Sequence, residues 1–251
     1  MEQAYAKLIA IARTTWAQAE QVSRLLRQRK EQQARRVQEK LSQLLPLVEQ
    51  VIQQAVRRLF HQEALPASAK LVSLFEPHTQ ILRRGKAPPQ DTEFGHKVNY
   101  AEVEPGLISD WQVIAQGNPP DQQLLPALLR HHRRRFGQGP RLLAGDRGLF
   151  SPRNEQLARR LGVKQICLPQ PGAKTKQRCR QERQAWFKQG QRFRNGIEGR
   201  ISVVRRTVQL ARCPYHGLEG LERWIGWGVL VANLVVLARR QSKRRHRSKP
   251  P

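Results

Sequence analysis

Leu142-Leu143-Ala144-Gly145-Asp146-Arg147-Gly148 is an apolar run that ends in an acid, followed by a glycine turn and the start of a helix. Arg192-Phe193-Arg194-Asn195-Gly196-Ile197-Glu198-Gly199-Arg200 places a second carboxylate in an arginine-studded segment downstream. Aspartate is scarce here, occurring only at Asp91, Asp110, Asp121 and Asp146. A carboxylate at the end of a buried strand and another on a basic helix suit a divalent-metal phosphodiester site. Hard cations such as Mg²⁺ take oxygen ligands, and paired cations clamp the attacking and leaving oxygens of an in-line displacement. The competing reading makes Asp146 a helix cap and Glu198 a salt-bridged surface residue.

Charge points the same way. The 251 residues hold 46 Lys+Arg against 19 Asp+Glu, a formal net charge of +27. A field of that size draws polyanions and gives salt-dependent affinity for DNA or RNA. A membrane surface is the competing polyanion, and a ribosome-associated protein the competing basic class. A hydrophobic content of 39% with five Trp supports a packed core. Cys167, Cys179 and Cys213 are too widely spaced for a zinc pattern and fit a reducing cytoplasm. The amino terminus reads as an amphipathic helix without a signal peptide's basic start and cleavage site. The most apolar stretch, Trp224 to Ala238, is too short for a spanning helix and reads as a buried one, so no membrane is expected.

Along the chain, residues 1–65 carry apolar positions at helical spacing and predict a hairpin of two or three helices, with Pro46 kinking or restarting the second run. Strands are predicted at Lys70–Phe75, Gln80–Leu82, Lys97–Val103 and Leu107–Ile114, with a Gly/Pro/Lys loop from Arg83 to Gln90 and a turn at Glu104-Pro105-Gly106. A helix follows from Asp121 to Arg135, then strand Arg141–Ala144, helix Pro152–Leu161 and strand Val163–Leu168. Gln170 to Arg180 reads as a basic loop before a long helical stretch loosened by Gly190, Gly196 and Gly199. An apolar helix over 218–238 comes next, and the basic tail over 241–251, within a charged run starting at Arg239, is expected to be a disordered arm. This order predicts an α/β fold, a mixed sheet flanked by helices.

Several longer words carry a family likeness: Ser73 to Thr79 as SLFEPHT, Arg84-Gly85-Lys86, Glu93 to Val98 as EFGHKV, Gly117-Asn118-Pro119-Pro120-Asp121, Asp146-Arg147-Gly148, Gly196 to Ser202 as GIEGRIS, Arg212-Cys213 and Trp224 to Val229 as WIGWGV. In this order they resemble the bacterial insertion-sequence DDE transposases, in the group once left "not classified yet", over roughly residues 66–240. The resemblance implies an RNase H-like catalytic domain in which three acids bind two Mg²⁺ or Mn²⁺ ions for DNA strand cleavage and transfer. It implies DNA as partner, both transposon ends and target, and a cytoplasmic, nucleoid-associated protein. A homo-oligomer or an intact transposase is a further possible partner.

By the same likeness, Asp146 and Glu198 stand where the second and third catalytic, metal-binding acids stand. Related transposases place the glutamate in a Tyr-x2-Arg-x3-Glu-x6-Lys signature, matched here by Arg194, Glu198 and Arg205, with Gln191 in place of the tyrosine. Arg194, Arg205, Arg147, Lys174, Lys176 and Arg200 are the candidate DNA contacts. The family's first acid lies in a word like Asp-Thr-Thr-Val-Val-Glu, and residues 1–90 contain no aspartate. The chain is therefore expected to lack the first catalytic strand, as a truncated copy or through a late start, and to be inactive alone. Glu76, Glu93, Glu102 and Asp121 are stand-ins with ordinary loop, edge or cap readings. The alternative function is a non-catalytic DNA-binding remnant or an inhibitor of an intact transposase.

Overall fold

The computed structural model describes residues 2–83, 92–104, 106–117, 119–207, 209–210 and 212–247, without the side chains of Glu198, Val203, Val204 and residues 243–247. The Arg84-Gly85-Lys86 word, Asp91, Pro105, Asn118 and the last four residues lie outside that set. The chain divides into two compact units: residues 1–96 with 115–117, and residues 97–114 with 118–251.

The first unit opens with α1 (Glu2–Arg27) and α2 (Gln32–Leu59), paired as the predicted hairpin. Glu2 in the first turn and Arg24 and Arg27 in the last complement the helix dipole of α1. Ile9 and Ser23 on α1, with Ala34 and Ile52 on α2, are buried, and Trp16 donates its indole N–H to the Leu45 carbonyl at 2.9 Å. Pro46 lies inside α2 without ending it, so the expected interruption does not occur. Residues 70–75 do not form the expected strand. The Gln54 amide occupies both backbone groups of Leu71, accepting from its N–H at 2.6 Å and donating to its carbonyl at 3.2 Å. A side chain thus satisfies what a neighbouring strand would have satisfied. Strand β1 (Gln80–Arg83) pairs antiparallel with β2 (Thr92–Gly95), a strand hidden in the sequence by its Gly- and Pro-rich approach.

The second unit begins with the antiparallel hairpin of β3 (Val98–Val103) and β4 (Leu107–Val113), the two strands expected there, with a register shift between Ala101 and Glu102. Gly106 takes φ +99°, a conformation that favours glycine. Helix α3 (Asp121–Phe136), β5 (Leu142–Ala144), α4 (Pro152–Arg160) and β6 (Gln165–Cys167) follow as expected. Ser151 caps α4 by accepting from the Asn154 N–H, and Pro152 fits the first turn. Strands β5 and β6 are parallel. Leu125, Leu129, Ala158, Val163, Ile166 and Leu168 close the core beside them. The described strands form three separate two-stranded sheets in place of one joined mixed sheet. The fold is α/β and mostly helical.

The expected loop before α6 contains helix α5 (Lys176–Arg183), capped by Thr175. Helix α6 (Ala185–Thr207) runs unbroken through its three glycines. Gly190 explains one of them: a Cβ there would meet the Cys167 Sγ at 2.4 Å, so the missing side chain lets α6 lie on β6. We expect Gly190→Ala to lower stability by about 1–3 kcal/mol through overpacking, read from the urea midpoint at constant slope; a change within about 0.3 kcal/mol would refute close packing there.

Helix α7 (Gly217–Arg247) packs on the β3–β4 hairpin through Ile225 and Val229. The Asn233 amide receives the Ile108 N–H at 2.8 Å and donates to its carbonyl at 3.0 Å. The helix continues to Arg247, so most of the tail expected to be a disordered arm is helical. Its stretch Gly217–Ser242 is 26 residues long and contains an 18-residue window of mean hydropathy 1.4, enough by length and composition to cross a membrane. Only 17% of that window is buried, and Trp227, Leu230, Leu234 and Leu237 are exposed, so the helix expected to be buried packs through one face only.

Candidate functional site

Parallel pairing of Leu142 with Gln165 and Ala144 with Cys167 carries the chain to Gly145, whose N–H reaches the Cys167 carbonyl at 3.2 Å. A Cβ at Gly145 would meet Leu149 at 2.6 Å and Leu168 at 2.9 Å, so the strand end is sealed against the core. The next residue, Asp146, emerges with its side chain 50% exposed. It precedes a 3-10 turn, Arg147–Leu149, without capping it through its side chain, so the capping role of the competing reading is not what the carboxylate does.

Helix α6 supplies the partner. Phe187 is buried, and the Gln191 amide donates to the Cys167 carbonyl at 2.7 Å and to the Gly145 carbonyl at 3.4 Å. Arg194, one turn further, ion-pairs with Asp146. Gln191, which replaces the signature tyrosine, therefore fastens α6 to both strand ends. Helical periodicity sets position 198 on the same face, one turn beyond Arg194. The Glu198 side chain lies outside the described residues.

The other described aspartates, Asp110 and Asp121, have settled partners. Asp110 is buried against His131 at 3.2 Å and Arg135 at 3.6 Å. Asp121 pairs with Lys97, and its carboxylate lies where a Cβ on Gly148 would touch it at 2.9 Å. Of the other stand-ins, Glu102 is buried against Arg200, Glu76 contacts His78 at 2.6 Å, and Glu93 lies on β2.

Of the candidate DNA contacts, Arg194 pairs with Asp146, and the other five divide into two groups. Arg200 is engaged by Glu102 and leans on the Phe193 ring at 5.8 Å. Lys174 is engaged by Glu182. Both cations are paired with carboxylates of the chain itself. Arg147, Lys176 and Arg205 are exposed, with Lys176 opening α5 at the end where a cation gains nothing from the helix dipole. Burial pushes the Cys167 thiol up to about 11, so it is a neutral packing group at physiological pH.

The fit to a divalent cation is partial. Asp146 offers oxygen ligands at an accessible strand end, but Arg194 neutralises it. Among the described residues no three His, Cys, Asp or Glu side chains are grouped so as to hold a metal ion.

Sequence centred on the residues just described matches a family model described as "Transposase DDE domain" over residues 106–234, just over half of the chain. No curated protein and no solved structure matches the chain.

Proposed function

Because the chain belongs to the transposase DDE domain family, we propose that it is the RNase H-like catalytic portion of an insertion-sequence transposase, with Asp146 and Glu198 as two of its three acids. Family membership gives a transposase function with DNA as partner, and family chemistry uses divalent metals. The observation that carries the finer reading is α6 laid across the β5–β6 pair. It brings the Arg-x3-Glu segment to the strand end that presents Asp146. Asp146 and Glu198 would hold the cation, Mg²⁺ or Mn²⁺, which when bound neutralises phosphate charge at the scissile bond. Arg194 holds the Asp146 carboxylate at the strand end until then, and Gln191 fixes the helix that carries both.

Manganese titration followed by EPR tests this reading. Wild type is expected to bind Mn²⁺, and Asp146→Ala and Glu198→Ala each to weaken binding at least tenfold. Equal binding by all three proteins would refute the assignment.

A second reading is a DNA-binding protein that does not cleave, acting on the nucleoid as a remnant or inhibitor. The Asp146–Arg194 pair favours it, since the carboxylate is already neutralised. Nicking of supercoiled DNA in Mn²⁺, abolished by Glu198→Ala, would decide for the enzyme.

A further inference from the structure

Helix α1 carries two apolar seams where its hairpin with α2 uses one. Ile9, Trp16 and Ser23 lie on the side turned to α2. One residue earlier in each turn runs a second seam, Leu8, Ile11, Thr15, Gln18, Val22 and Leu25, whose spacing alternates three and four as in a coiled coil. Its apolar members are open to solvent: Leu8 is 60% exposed, Ile11 65%, Val22 46% and Leu25 60%. We propose that this seam is a self-association surface, through which two copies of the chain pack α1 against α1, antiparallel, to make a four-helix bundle.

The geometry of the hairpin fits that assembly. Successive helix positions are about 100° apart, so the open seam lies roughly a quarter turn from the one facing α2. That is the angle between a helix's two neighbours in a square bundle. In two antiparallel helices, the positions just before the facing ones turn toward the same side. On α2 these include Val37, which is 48% exposed, and the half-buried Leu44 and Val51. The opposite side of the hairpin carries the charged Glu20, Arg27 and Glu49 around Trp16, Leu45 and Pro46. The seam-bearing side is thus the more apolar of the two, with Lys40 of α2 as its exposed cation.

The occupant is read from the seam's own order. A two-fold interface must be self-complementary. Leu8 and Leu25 are equidistant from the point between residues 16 and 17, as are Ile11 and Val22, and Thr15 and Gln18. Reversing one copy on the other therefore sets leucine on leucine at both ends, Ile11 on Val22, and the two polar residues together at the axis. Charge agrees, because none of the six seam positions is ionisable in a chain of net charge +27. Elsewhere a second copy would be repelled; along this seam it meets no like charge. The area is sufficient. Roughly seventeen residues of helix span about 26 Å, and two helices about 20 Å across give roughly 500 Å² per copy, or about 1,000 Å² in all. That lies at the threshold for specific association, so a dimer forming at tens of micromolar is expected.

Analytical ultracentrifugation of the full chain without DNA tests the proposal. Wild type should show a concentration-dependent dimer. Ile11→Lys and Val22→Glu, at exposed positions that leave the helical CD signal intact, should each weaken association at least tenfold. Mixing the two variants should restore it. The ammonium introduced at position 11 of one copy then meets the carboxylate introduced at position 22 of the other, while the native Ile11 and Val22 meet across the axis. In a single helix these positions are about 16 Å apart and cannot pair. Wild type remaining monomeric to about 100 µM would overturn the proposal. So would single variants that associate like wild type, or a mixture that stays monomeric.

Discussion

Arg178→Ala should cost about 3–5 kcal/mol of stability, since removing one member of a buried ionic cluster leaves its partners uncompensated. The Arg178 side chain is 8% exposed. Its guanidinium reaches Glu182 at 3.0 Å and Glu155 at 2.7 Å, and it donates to the Leu168 carbonyl. It also lies over the Phe150 ring at 5.0 Å. One side chain thus ties α5 to α4 and to the end of β6, beneath the strand pair that presents Asp146. The loss should depend on pH. Burial pushes the Glu182 carboxyl up, but the Lys174 ammonium, the Gln170 N–H and Arg178 outweigh it and hold it below its ordinary 4.5. A depressed carboxyl contributes stability above about 4.5 that is lost as pH falls through the folded value. In the variant Glu182 loses that partner and takes up a proton more readily, so the penalty should be smaller at about pH 4 than at about pH 7. Urea unfolding at both pH values measures it, and a penalty under about 1 kcal/mol at neutral pH would refute the cluster's role. Combining Arg178→Met with Glu155→Gln and Glu182→Gln, which leaves only the partly exposed Lys174 without its carboxylate, should recover part of the loss.

This cluster also shows where sequence reasoning stops. Elements whose signals are local were legible: β3 and β4 from alternation around Gly106, α4 from Ser151-Pro152 and Gly162, and the strand end at Asp146 from an apolar run before a glycine. What depends on a distant partner was not. Gln54 holds Leu71 out of a strand although the two are far apart in the chain. Gly190 reads as a helix breaker but serves a contact with Cys167. A run rich in Lys and Arg reads as a solvated loop, and nothing local announces that Arg178 is its buried member. Thr175 did carry a signal, since a cap residue three positions before Arg178 marks the start of α5. The candidate site shows the same division. The Arg194–Glu198 spacing was legible, while the engagement of Arg200 by Glu102 and of Lys174 by Glu182 required the fold.

That division decides how DNA affinity should respond to salt. If roughly six to ten phosphates are neutralised, binding should fall by about 10³–10⁵ between about 50 and 200 mM salt. Each cation that meets a phosphate contributes about 0.9 to the slope of log affinity against log salt. Deleting residues 239–251, which carry seven Lys and Arg, should flatten the slope by several units. Arg147→Gln, Lys176→Gln and Arg205→Gln should each remove about one unit, because these side chains are exposed. Arg200→Gln and Lys174→Gln should leave the slope unchanged, since Glu102 and Glu182 already occupy those cations; their cost should appear in stability instead. Glu198→Gln removes a negative charge beside the same surface and should leave the slope unchanged or slightly steeper. Fluorescence anisotropy on one duplex across a salt series reads all of these. A tail-deleted protein with the wild-type slope would show that the tail charge serves something other than DNA. An Arg200 variant that loses a full unit would show that its pair with Glu102 opens when DNA binds.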